Sequence, residues 1–137
     1  MGLTATDRPF RPLHPLHAIL LSFPFPLFLG ALASDIAYWR TFEIQWSNFA
    51  QWLNAGGLAV GAPLLLWALV STLRSRRFFY LVVLLAAWIT GFVNALVHSR
   101  DAWAMMPDAL WWSGAATILA LAASWLGFSG VPAAEAR

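Results

Sequence analysis

The feature that most limits this chain is a series of four apolar runs, about 16–39, 49–73, 78–97 and 109–127, with only short polar connections between them. A helix needs roughly 20 predominantly apolar residues to cross the hydrocarbon layer of a bilayer, and each run is close to that length. The chain has 137 residues, of which 61% are hydrophobic and 10% charged. Soluble domains carry about a quarter charged residues, so a water-soluble globule is excluded. The expected fold is all-α: one domain over residues 1–137, an integral membrane bundle of four transmembrane helices with short loops. No stretch is left for a separate soluble catalytic or nucleic-acid-binding domain, and no nucleic-acid partner is expected.

All 8 basic residues are arginine, and they set the expected topology. Four spans put both termini and the middle loop on one side, with Arg8, Arg11, Arg74, Arg76, Arg77 and Arg137; the other side has Arg40 and Arg100. Positively charged loops stay in the cytoplasm, so the termini are expected there, in a bacterial inner membrane. The opposite face carries Tyr38, Trp39, Trp46, Trp52, Trp103, Trp111 and Trp112, which read as an interfacial aromatic belt. Arg8 and Arg11 followed by an apolar run and Ala31-Leu32-Ala33 also resemble a cleavable signal. Cleavage would leave three spans and export the arginine-rich middle loop, so the first span is expected to be retained. The tail 129–134 is expected to be a disordered end.

Lipid gives helices no hydrophobic reason to associate, so small residues and polar contacts must supply the attraction. Gly57-x-x-x-Gly61, Gly91-x-x-x-Ala95 and the Ala/Gly-rich fourth run mark faces where backbones can approach. Pro24 and Pro26 fall within the first run and deprive the carbonyls of Leu20 and Ser22 of their N–H partners. Those acceptors need protein or a hydroxyl such as that of Ser22. A kink is the expected result. Gly127 reads as a helix stop.

Polar groups inside a span are costly and raise a functional question. Asp35, Gln51, Asn54, Asn94 and His98 all fall toward the same end of their runs. Asn94 and His98 are four apart and share a helix face. A polar cluster of Asp35, Asn54, Asn94, His98, Arg100 and Asp101 is therefore expected, either tying the helices together or forming a small-ligand, ion or proton site with Asp35 and His98 as its titrating members. At the opposite end, His14-Pro15-Leu16-His17 reads as an interfacial cap, since two histidines alone do not make a stable metal site. No metal site is expected. His14, His17 and His98 are the candidates for haem ligation, but His17 and His98 end opposite sides of a ~30 Å layer and are not expected to hold one iron. Cysteine is absent, which excludes disulfides, thiolate sites and Fe–S clusters.

The series His14-Pro15-Leu16-His17 through Ser22-Phe23-Pro24, followed by Ala33-Ser34-Asp35-Ile36-Ala37-Tyr38-Trp39, resembles an uncharacterised bacterial membrane-protein family, the domain of unknown function twenty-two thirty-one. The stretch from Gly91 through Asn94, His98 and Arg100 to Pro107 resembles a proteobacterial subgroup of it, while Ala18 departs from the second proline many members carry. The resemblance implies a four-span inner-membrane protein and no particular activity. Relatives joined to cytochrome-like or Rieske-like modules imply a redox neighbourhood.

No nucleophile–base set, phosphate loop or metalloprotease motif occurs, so no catalytic residue is assigned. The first expectation is a non-enzymatic accessory or partner-binding subunit, with the bilayer and another membrane protein, of a redox complex, as partners. The second is a haem- or quinone-binding redox protein. The third is a small transporter or proton-responsive protein.

Overall fold

The structure, a computed structural model, describes residues 13–75, 77–101 and 103–129. Arg8, Arg11, Arg76, Arg137 and tail residues 130–134 lie outside the described residues. Five helices follow in order: α1 (Pro15–Ser22), α2 (Pro24–Thr41), α3 (Ile44–Ser75), α4 (Phe78–His98) and α5 (Asp108–Phe128). Together α1 and α2 make one candidate span, and α3, α4 and α5 are each long and apolar enough to be another. Four such spans, and no strand among the described residues, make the protein an all-α membrane bundle. Packing runs in a ring, α2 against α3, α3 against α4, α4 against α5 and α5 against α2.

Local chemistry explains the helix ends. Pro15 takes the first position of α1, where a missing N–H loses nothing; His14 is the N-cap, and its Nδ1 accepts from the Leu16 N–H at 3.3 Å. The first span breaks at Phe23, because Pro24 and Pro26 cannot donate. The Ser22 hydroxyl donates to the Ile19 carbonyl at 2.7 Å, and Ser124 of α5 reaches the Leu21 carbonyl at 3.4 Å. Hydroxyls thus serve the carbonyls beside the two named from sequence. Helix α3, the second span, starts at Ile44, five residues before the expected start of the second run at Phe49. Hydropathy cannot see that turn, because Gln45, Ser47 and Asn48 are polar yet helical. Pro63 sits inside α3 without ending it.

The interior has three apolar layers. Leu21, Leu64, Leu84 and Ala123 fill the end near Arg77. Phe28, Ala87, Ala116 and Ala120 fill the middle, and Tyr38, Val97, Met105 and Ala109 fill the far end. Tyr38 corrects the expected aromatic belt: it is 2% exposed, in the core, whereas Trp52 and Trp111 are 78% and 75% exposed. Position explains it, since Tyr38 shares the inward face of α2 with Ser34 and Asp35.

Glycines let the helices close on these layers. A Cβ at Gly57 or Gly91 would fall 2.7 or 2.8 Å from the Phe28 ring, so the phenyl group from α2 fits only because both neighbours lack a side chain. The Gly57 and Gly91 faces therefore pack within the monomer. Gly61 makes room for Trp88, whose Nε1–H donates to the Leu58 carbonyl at 3.0 Å. Gly127 is a packing residue and not a helix stop: α5 continues to Phe128, and a Cβ at 127 would meet Leu21. Trp88→Phe, which keeps most of the ring but loses the donor, is expected to lower stability by about 0.6–1.7 kcal/mol, read from thermal unfolding in detergent.

Candidate functional site: a buried polar layer

Between the Phe28 and Tyr38 layers, every span contributes a buried polar side chain. On α2, Asp35 lies on the inward face; on α4, Asn94 and His98 are one turn apart and both face inward; Asn54 comes from α3 and Ser113 from α5. Asp35 and Asn94 are 0% exposed and Asn54 and Ser113 are 1% exposed, so none of these groups is compensated by solvent. Most of their polar atoms are compensated by one another or by backbone. His98 Nε2 lies 2.8 Å from Asp35 Oδ1, and Ser113 donates its hydroxyl hydrogen to Asp35 Oδ2. Asn94 Nδ2 donates to Ser113 Oγ at 2.9 Å, and Asn54 Nδ2 donates to the Gly91 carbonyl at 3.0 Å.

The partners assign the hydrogens. His98 Nδ1 lies 2.9 Å from the Asn94 carbonyl, and a carbonyl only accepts, so Nδ1 carries a hydrogen. Ser113 Oγ accepts from Asn94 and therefore directs its own hydrogen to Asp35 Oδ2. One position remains. Between Nε2 and Oδ1 there is a single hydrogen, which makes the pair either imidazolium with carboxylate or imidazole with carboxylic acid. Both arrangements have zero net charge, and this is what lets the pair stay buried away from bulk solvent.

The order of these groups rules out a nucleophilic triad. In a Ser-His-Asp triad the imidazole stands between hydroxyl and carboxylate and takes the hydroxyl proton. Here the carboxylate stands between, and the second imidazole nitrogen is held by backbone. Ser113 is therefore held by the carboxylate directly, with no imidazole beside it in the general-base role of a triad. What the arrangement can do is hold, release or redirect one proton.

Two expected cluster members lie elsewhere. Arg100 pairs with Asp108 at 3.1 Å in an exposed contact, and Asp101 is exposed in the α4–α5 connection. Both follow the end of α4, where the chain has left the bundle interior and water solvates charge at little cost. Gln51 is exposed and donates to Ser47 at 3.3 Å, while Ser47 donates to Met105 Sδ at 3.7 Å. Ser113 was missed by the sequence reading. Its signal is faint: a serine at i, i+4 from Ala109 and Thr117 on the small-residue face of α5.

The histidines at the other end form a separate group. His17 Nε2 lies 3.2 Å from the Tyr80 hydroxyl, the His17 ring stacks on Trp67, and Arg77 lies over the Tyr80 ring. His14 faces Trp67 from an exposed position at the N-cap. Tyr80 and His98 are 18 positions apart on α4, roughly 27 Å along the helix. No single iron spans that distance. Among the described residues no group of three or more His, Cys, Asp or Glu is placed to hold a metal.

No curated protein and no solved structure matches the chain significantly. The later stretch from Gly91 to Pro107 lies outside what a family model matches. Residues 13–78, which hold α1, α2, α3 and the first residue of α4, match the family described as "Predicted membrane protein (DUF2231)", and the resemblance carried by His14 to Trp39 is a match to that family of membrane proteins.

Proposed function

We propose that the protein is a proton-responsive membrane bundle whose titrating element is the Asp35–His98 pair. The observation that carries this reading is the 2.8 Å contact between Nε2 and Oδ1 in a layer to which all four spans contribute. Adding or removing one proton there would charge the centre of the bundle and change which group donates to which on every span. A change of that kind alters helix packing without any chemistry on a substrate. It therefore suits an accessory subunit that passes a proton signal to a neighbouring membrane protein.

The test uses the small number of histidines. With 15N-histidine the protein has three labelled rings, His14, His17 and His98. In bilayers titrated across the pH range in which the protein stays folded, the His98 ring signals are expected to move, and to lose that movement in Asp35→Asn. A His98 spectrum that stays the same over this range would refute the reading and leave the cluster a purely structural tie.

We further infer a bacterial inner-membrane location with both termini in the cytoplasm. The support is the distribution of arginine, with Arg74 and Arg77 at the α3–α4 end and Arg40 and Arg100 at the other. Reporter fusions after Arg77 and Arg137 should show cytoplasmic activity, and one near Trp103 the outer pattern. A periplasmic signal at Arg137 would reverse the orientation.

A further inference from the structure

One atom of the polar layer is left over. Asn94 Oδ1 is fully buried and has no hydrogen-bond partner. Turning the amide over does not help. Asn54 is oriented by its donation to the Gly91 carbonyl, so it presents Oδ1 to Asn94 and requires a donor there. Ser113 has given its hydrogen to Asp35 and likewise requires a donor from Asn94. Both neighbours demand Nδ2 on their side, which leaves the oxygen as the unpartnered atom. A second oxygen beside it is poorly served: Asn54 Oδ1 receives Asn94 Nδ2 only at 3.5 Å, beyond the ordinary 2.7–3.2 Å range.

Two neighbouring amide oxygens, one without a donor and one with a weak donor, suit a small molecule that donates twice. We infer that Asn54 and Asn94 hold one internal water molecule, bridging their Oδ1 atoms between α3 and α4. Buried waters typically sit on otherwise unsatisfied polar groups and need two or more such partners. Water is also the species whose charge fits. The Asp35–His98 pair with its shared hydrogen is neutral, so a cationic donor beside it would leave a net charge in the core. The apolar layers of Phe28 on one side and Tyr38 on the other separate this water from both ends of the bundle. It would supply exchangeable hydrogen within the layer.

Asparagine occurs three times, at Asn48, Asn54 and Asn94, and Asn48 is exposed. Protein labelled with 15N-asparagine, in deuterated phosphatidylcholine bilayers, is tested by short-mixing dipolar transfer from water protons to the side-chain amides. The expected result is transfer to Asn54 and Asn94 as well as to Asn48. Transfer to Asn48 alone would overturn the inference. Asn54→Leu, which removes one anchoring oxygen, should abolish transfer to Asn94; unchanged transfer in that variant would overturn the bridge. The wild-type measurement needs no variant to fold. Neither readout depends on titration of His98, so the water and the proton response fail or stand separately.

Discussion

Asp35→Ala is expected to destabilise the bundle by about 3–5 kcal/mol, the range for removing one partner of a buried charged pair. Two groups lose their acceptor at once, His98 Nε2 and the Ser113 hydroxyl. A typical hydrogen bond between membrane helices contributes only about 0.6 kcal/mol, so bond counting would predict a much smaller effect. The larger figure follows because His98 is 5% exposed and Ser113 1% exposed, and bulk solvent does not reach what the carboxylate abandons. Asp35→Asn keeps an acceptor for Ser113 and a donor for Nε2, and should lose roughly 1 kcal/mol. The double variant Asp35→Ala/His98→Ala should be clearly less unstable than the sum of the two single changes. Unfolding in detergent micelles measures all four proteins. Additive effects would mean the two residues do not act as a pair.

Three glycine-to-alanine changes should give effects of opposite sign. At Gly91 and Gly57 the new methyl group meets the Phe28 ring inside normal contact distance, and each change is expected to cost about 1–3 kcal/mol through overpacking. At Gly114 nothing lies within 4 Å of the new Cβ. There alanine only restrains the unfolded chain and favours helix, so a gain of about 0.5–1 kcal/mol is expected. Phe28→Leu should recover part of the Gly91→Ala loss, because it removes the atoms the methyl group strikes. If Gly91→Ala and Gly114→Ala behave alike, the close fit of Phe28 between Gly57 and Gly91 does not matter to stability.

The polar layer shows how far residue spacing reaches. Asn94 and His98 lie four apart in a run that has to be helical, and this puts them on one face without knowledge of any neighbour. Asp35 is similarly conspicuous, because a carboxylate within an apolar run needs a partner. Ser113 is not conspicuous. A serine is tolerable in a membrane helix while bonded to its own backbone, and nothing in the α5 sequence says that this hydroxyl turns to a carboxylate on another span. Arg100 and Asp101 show the reverse error: they are close to His98 in sequence, but the end of α4 sends them to the exposed connection.

Hydropathy and length by themselves determined that this is a membrane bundle of four spans. In lipid the backbone has to satisfy itself, and runs of about 20 apolar residues leave the helix as the solution. Proline chemistry likewise made the break in the first span legible. The tertiary structure alone decided which small residues meet which large ones, and that Tyr38 turns inward while its tryptophan neighbours turn out. It also decided that one carboxylate, one imidazole, one hydroxyl and two amides come together in a single layer. Those outcomes depend on the rotation of each helix about its axis relative to the others, which periodicity leaves open in spans that are apolar nearly all round. Only simultaneous packing of all four faces fixes that rotation.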